Sequence, residues 1–508
     1  MNKKNILKIV GIIILVTIPN QLSFSSDLRN NKEIIAKQHL NNEKYINNRD
    51  SSRDRDKYFL KISDLKDLLI NNNQELKIIE SKINQSKNIL KSKSAAWAPK
   101  LNLKSNELPK YTTSDSRDRI SGNTSSNQLK FGTDISIEWD IINPKRKLAI
   151  KIAKDKLENL NYLYELTLED LYLKSKEIYY SVQSAEEEIN VAHQAIKTSL
   201  ISLDELNNRY KSGLSNKLEV LEAKTQLNRD RILLMQKEEQ LKSKINNLTE
   251  ILNIKKNPTI ENKLTKIIEV WNKDEKESLK AALENRIDLK IKKKDIIINT
   301  NESLVLIADK KPNFRLYNTF SISSSKGQLG AQSPDYDNFT KNNTNITGIS
   351  FNMNLFDGGE IKNRYLSLKN KNQELEASFI IKKNEINKNI KNSLNKYKMI
   401  KNNIIFAQQQ LTSARETLSI SLKRMEAGIS TQREVVNSQS DVIEAETNFI
   451  NSLKSYKVII ATLSRLTGLK PDNICNFTEE KTNSQNNEFL QFIKDNNLQD
   501  NCPLNIKI

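Results

Sequence analysis

Two stretches hold the residues best placed for chemistry: Arg209-Tyr-Lys-Ser-Gly-Leu-Ser215 and Arg424-Met-Glu-Ala-Gly-Ile-Ser430. They align without a gap, and each is followed by a carboxylate, Glu219 or Glu434. A glycine between two helical runs frees the backbone for a tight turn and for close approach by another chain. The apolar residue beside it, Leu214 or Ile429, is a small anchor. A plain helix C-cap between antiparallel helices would use the same glycine. Basic residues close in sequence could hold these glutamates: Arg209, Arg424, Lys217 or Arg433. On a solvated helix face, each such pair would be worth about 0–1 kcal/mol. This is recognition and charge pairing, and no catalytic set accompanies it. The histidines are His39 and His193 only. No Gly-rich phosphate loop, metal-spaced Cys/His set or nucleophile elbow occurs. Glu186-Glu-Glu188 reads as a wet helix face. Neither enzyme activity nor a metal or cofactor is expected.

The elements that position these turns follow from composition. A chain of 508 residues would normally form about two to four globular domains. With 11 Gly and 9 Pro, and no Pro between Lys145 and Asn257 or between Asp335 and Lys470, long helices are expected instead. The formal net charge is +19, but the lysines are interleaved with Glu and Asn and no nucleic-acid motif occurs, so nucleic acid is not an expected partner. Lys3, Lys4 and Lys8, the apolar run Ile9–Ile18 and Ser23-Phe-Ser25 predict a signal peptide over residues 1–25, with a retained anchor as the alternative. No other apolar run is long enough to span a bilayer as a helix, so any membrane entry would be by β-strands. Residues 26–60 and 471–508 are expected as polar tails. Cys475 and Cys502 lie in the second, where export would let them pair or leave two free thiols.

Between the tails the chain is duplicated. The first repeat, 61–256, opens with a helix from Ser63 (a candidate N-cap) to about Ala96, stopped by Pro99. The period then changes to two, predicting strands at about 101–108 and 131–142 joined by a polar loop at 109–129. An unbroken helix follows Pro144 to about Lys211, roughly 100 Å long at 1.5 Å per residue. Past Gly213, a helix to Leu252 carries Val220, Leu227, Leu234, Leu241 and Leu248 at heptad spacing, beside a patchy companion seam. A linker is expected at 257–277. The second repeat, 278–470, repeats the series: a helix to Asp309, strands at about 314–324 and 347–356 with a polar loop at 325–345, a long helix, the turn at Gly428, and a seam of Val435, Val442, Phe449, Tyr456 and Leu463. The two shorter helices of a repeat sum to about the length of the long one, so they can stack end to end beside it. Four strands cannot close a barrel, for which about eight is the minimum, so two or three chains should share one, with lipid outside and water inside.

These features carry a family resemblance. The chain resembles the outer-membrane efflux proteins of the TolC type over about residues 60–470. The likeness rests on the duplicated element order, Ala96-Trp-Ala-Pro99 before the first strand, Leu355-Phe-Asp-Gly-Gly359 after the last, and the Gly-Leu-Ser and Gly-Ile-Ser tips followed by Glu-Val-Leu221 and Glu-Val-Val436. The resemblance implies a mainly α fold with a small β part. As a homotrimer it would form a twelve-stranded barrel among outer-membrane lipid on a long α-helical periplasmic barrel. It implies a passive exit duct in the outer membrane of a diderm bacterium, extending into the periplasm. A periplasmic adaptor would join it to an inner-membrane transporter, for efflux or type I secretion. Gly213, Leu214, Ser215, Gly428, Ile429 and Ser430 would dock the adaptor, and Glu219 and Glu434 would form acidic rings. Two departures stand out. Ile142-Asn-Pro144 replaces the Phe-Asp-Gly found at 356–358, and Glu219 and Glu434 stand where the family often carries Asp. Trp97, Trp139, Phe351 and Phe356 fit either an aromatic belt at the membrane boundary or packing where helix meets strand. A periplasmic adaptor or a structural coiled-coil protein of the envelope are the alternatives. Two hairpins with two strand pairs do not suit the first, and strands with a signal peptide do not suit the second.

Overall fold

The computed structural model describes residues 58–119, 122–260, 264, 267–328 and 338–476. The signal peptide, residues 26–57 and Cys502 lie outside the described residues. A short strand, β1 (Tyr58–Leu60), leads through a 3-10 turn into α1 (Leu65–Asn72) and α2 (Gln74–Ser94). One continuous helix was expected here, and Asn73 interrupts it. Its backbone is extended (φ −67°, ψ 131°), its Oδ1 accepts from the backbone of Glu75 (2.9 Å) and Leu76 (3.2 Å), and its Nδ2 donates to Ile251 O at 2.9 Å. An Asn side chain that caps a new start competes with an uninterrupted helix. Ser63 caps nothing; its hydroxyl bonds Asp64.

The chain continues through β2 (Lys100–Asp118), β3 (Gly122–Ile142), α3 (Arg146–Lys211) and α4 (Lys217–Leu252). Then come β4 (Pro258–Ile260), β5 (Ile267–Val270), α5 (Glu275–Asn285) and α6 (Ile287–Ala308). The second repeat ends with β6 (Asn313–Gln328), β7 (Asn338–Asn352), α7 (Glu360–Glu426), α8 (Gln432–Thr467) and β8 (Asp472–Asn476). The expected linker thus holds two strands: β4 pairs with β1, and β5 pairs antiparallel with β8. Each of the two expected polar tails gives up one strand to these pairs. The partners are far apart in sequence and only three to five residues long, too short for periodicity to mark them.

The helices pack as their lengths predict. The elements α2 and α4 follow one another along one side of α3, while α6 and α8 do the same between α3 and α7. The joints are hydrogen bonded. Asn253, left-handed at φ 49°, donates to Asn72 O at 3.1 Å, and Asn285 donates to Thr467 O at 3.3 Å beside Gly468 at φ 73°. Each joint sits in a large-residue core. Leu65, Leu69, Leu76, Tyr179, Leu248 and Leu252 make the first; Trp271, Leu289, Ile404, Tyr456 and Leu463 belong to the second. Burying such a side chain contributes about 1.5–3 kcal/mol.

Both repeats feed one antiparallel sheet in the order β2-β3-β6-β7, whose outer edges pair with nothing among the described residues. Cross-strand register puts Leu101 opposite Ile137, Trp139 opposite Leu316 and Leu316 opposite Ile349, so one face is apolar. The strands run to 19, 21, 16 and 15 residues, well beyond the roughly 9–11 a bilayer needs. Most of the polar stretches expected as loops at 109–129 and 325–345 is therefore ladder. Thr tolerates a strand, and with only Tyr111, Leu129 and Phe339 as large apolar residues among the described ones there, the alternation that marks a strand is lost. Tyr317 lies across Gly348, where a Cβ would meet its Oη at 2.7 Å.

Candidate functional site

Both tips are built by the same local rule. At the end of α3, Leu214 N donates to Arg209 O (2.8 Å) and Gly213 N to Tyr210 O (3.1 Å), with Gly213 at φ 74°. At the end of α7, Ile429 N donates to Arg424 O (2.9 Å) and Gly428 N to Met425 O (3.0 Å), with Gly428 at φ 72°. This left-handed C-terminal cap closes the orphan carbonyls, and a residue with a Cβ would cost about 1–2 kcal/mol there. The next helix starts at once: Asn216 accepts from Glu219 N at 3.0 Å as its N-cap. The Ser215 and Ser430 hydroxyls bind the Glu219 and Glu434 carboxylates. Leu214 and Ile429 are left 73% and 71% exposed.

The structure brings the two turns side by side. Arg209 Nη1 crosses to Met425 O at 2.8 Å, so a cation from the first tip caps the helix that ends at the second. Arg433 Nη2 reaches back to Glu222 Oε1 at 3.0 Å. Of the four basic residues considered for the glutamates, only Arg424 holds one, with Nη1 at 3.4 Å from Glu434 Oε1. Lys217 makes no ion pair among the described residues, and Glu219 is met by Ser215 alone.

Above the tips the packing changes character. Ala192, Ala195, Ser199 and Ser202 on α3, Ala223 and Asp230 on α4, and Ser438, Gln439 and Ala445 on α8 are all buried, and Ser199, Asp230 and Gln439 meet between the three helices. Small side chains let the helices approach closely, and a hydrogen-bond network replaces the apolar core. Ser199 and Gln226 donate to Asp230, the latter at 2.9 Å; Gln439 Nε2 donates to Ala195 O (3.0 Å) and Asp230 Oδ2 (3.2 Å). Burial pushes the Asp230 carboxyl up, and the three donors oppose that shift. Sequence reasoning missed this network, though a signal existed. Ala223, Asp230, Lys237, Lys244 and Ile251 fall seven apart and form the patchy companion seam of α4.

Glu186-Glu-Glu188 is not a wet face. Glu188 is buried, with Lys237 Nζ at 2.6 Å, and burial beside Glu187 raises Glu186 to about 7. The four aromatics divide. Trp139 lies on the apolar sheet face yet donates to Trp97 O at 2.9 Å, and the Arg146 guanidinium sits 4.2 Å from the Trp97 ring, as junction packing requires. Phe351 contacts Phe314 on the apolar face, and Phe356 is exposed.

The chain matches the sequence model of a family described as outer membrane efflux protein, over residues 65–253 and 280–469. No curated protein matches it. Among solved structures it is similar to the CmeC outer membrane channel of Campylobacter jejuni, at 17% identity and a TM-score of 0.65, covering 80% of this chain and 85% of that one. It is similar to the outer membrane protein VceC of Vibrio cholerae, at 14% identity and a TM-score of 0.61, over 80% and 96% of the two chains. The open state of the Neisseria gonorrhoeae MtrE channel matches at 15% identity and a TM-score of 0.61, over 82% and 91%.

Proposed function

The chain belongs to the outer membrane efflux protein family, and from that premise we propose that three copies join edge to edge into one exit duct. The observation that carries this reading is the four-stranded sheet, with one apolar face and two unpaired edges, standing on a helical layer that is likewise open at both sides. Exposed edges invite pairing with another chain, and three copies would close twelve strands, ample for a water-filled lumen. An inner-membrane transporter supplies the energy, and a periplasmic adaptor couples it to the duct by docking on Gly213-Leu-Ser215 and Gly428-Ile-Ser430. The apolar ends of Leu214 and Ile429 project into solvent there, ready to be covered. Glu219 and Glu434 lie just beyond and set the charge at the tunnel mouth. Efflux and type I secretion would both use such a duct, because cargo is chosen by the transporter.

The test is fractionation followed by conductance. A heat-sensitive trimer in outer membranes that forms channels in planar bilayers supports the duct, while a soluble, elongated periplasmic monomer overturns it. In the same strain, Leu214→Asp with Ile429→Asp should abolish cross-linking to the adaptor and leave the trimer intact. Undiminished cross-linking would remove the docking assignment.

A further inference from the structure

The polar face of the sheet carries its charges in an order. Starting from the helical end, Arg315 holds Asp140 (Nε to Oδ1, 2.7 Å) and Glu138 (Nη1 to Oε2, 3.0 Å). Lys100 lies opposite Glu138 and Lys104 opposite Asp134. Two bulges in β2 follow, one on each side of Glu107. Each adds one residue and reverses which face the next side chain takes. Between them Glu107 is turned onto the polar face, where a Cβ on Gly132 would meet its Oε2 at 2.8 Å. After the second bulge Lys110 is back on the polar face, and its opposite residue is Lys130.

Every earlier lysine on this face meets an acid; this one meets its like. Like charges directly opposite in an antiparallel ladder are destabilising. Neither lysine has an ion-pair or hydrogen-bond partner among the described residues. The row continues across the sheet from Lys130 to Ser325 and from Ser325 to Thr340. Four strands therefore place two ammonium groups and two hydroxyls in one line, all able to donate, with no anionic acceptor among them.

Resting on the trimeric duct proposed above, we infer that Lys110, Lys130, Ser325 and Thr340 form an oxyanion-binding collar in the outer part of the barrel lumen. It takes phosphate- or carboxylate-bearing solutes as they leave. Three copies bring six ammonium groups to one level, the arrangement by which rings of lysine make pores selective for anions and phosphate. The cost of the opposed lysines is relieved whenever an anion bridges them. Because the lumen is wet, the collar acts over about a Debye length, roughly 8 Å at physiological salt, and acts further in dilute salt.

The experiment is reversal-potential measurement on the full-length trimer in planar bilayers under a KCl gradient, repeated with inorganic phosphate added. The wild type should favour chloride, and phosphate should reduce its current. Lys110→Gln with Lys130→Gln should lower the anion-to-cation permeability ratio by about threefold or more, the weight of a unit charge a few ångströms from a permeant ion in water. It should also abolish the phosphate effect, whereas Lys110→Arg with Lys130→Arg should keep both. Removing opposed charges relieves repulsion, so the Gln variant should assemble, and its heat-sensitive trimer reports this. An unchanged ratio in that variant overturns the collar alone. So does a wild type whose current ignores phosphate, which decides the matter without any variant. A wild type with no current overturns the duct and the collar together.

Discussion

Replacing Arg209 with alanine should unfasten the first tip from the second. The guanidinium donates to Met425 O at 2.8 Å and approaches Glu426 O at 3.5 Å, both at the last turn of α7. A hydrogen bond to a charged donor contributes about 1.5–3 kcal/mol, and a cation at a helix C-terminus about 0.3–1 kcal/mol, up to about 2 in partly buried geometry. The Arg209 side chain is 24% exposed, so the lower part of these overlapping ranges applies, and the loss should be about 1–2 kcal/mol. That corresponds to a roughly 5- to 30-fold rise in the open population of the tip. Hydrogen exchange read on peptides spanning 422–432 should speed up by that factor, while peptides spanning 245–255, around the joint near Ile251, stay unchanged. Single-channel conductance should rise with it. Arg209→Lys keeps the charge but loses the planar fork, so it should fall between. Exchange at 422–432 that stays within about twofold of wild type, or that speeds equally at 245–255, would refute the reasoning.

Two further outcomes follow from the buried polar groups. Asp230→Ala leaves the Gln226 and Gln439 amides and the Ser199 hydroxyl without their shared acceptor, and should cost about 1–3 kcal/mol in denaturant unfolding; Asp230→Asn should recover part of it, and equal losses from both would speak against the network. The second concerns pH. Burial lowers Lys457 to about 8, with Glu269 opposing, from an ordinary 10.5. The unfolded chain then holds more protons than the folded one between those values, so stability should rise as pH goes from 8 to 10.5. Glu186, raised from 4.5 to about 7, should make stability fall as pH goes from 4.5 to 7. Melting curves of Lys457→Met and Glu186→Gln should each lose the corresponding slope, and an unaltered pH profile in either would be the contrary result.

What was legible in the residues was whatever repeats along the chain. The seams at Val220 and Val435, the alternation at Ile135 and Ile349 and the glycines at 213 and 428 are local patterns, and each is where the pattern puts it. Even the end-to-end stacking of short helices beside long ones followed from lengths. The losses have a common cause. Asn73 takes an extended backbone while its Nδ2 bonds Ile251 O across the joint, with no local breaker such as Gly or Pro to mark it. The outermost stretches of β2 and β3, 112–118 and 122–128, are polar on both faces, so only cross-strand register identifies them. Asp230 and Lys237 looked like defects in a seam, yet a carboxylate and an ammonium there are matched by Gln439 and Glu188 on other helices. At the tips, Arg424 meets Glu434 as considered, while Arg209, considered for the same glutamates, caps the end of α7.

The two tips share a backbone but not their fastenings. Arg209 reaches out to its neighbour, while Arg424 turns back onto Glu434 of its own turn. Beside them, Leu218 of the first copy corresponds to Arg433 of the second, an apolar side chain against a charged one. In the proposed trimer, three copies would therefore present six loops around a ring whose symmetry is threefold. A ring of six identical adaptor hairpins laid on it would meet two environments in alternation. Its subunits would bind as two populations of three, filling at different concentrations, even though every hairpin carries the same sequence.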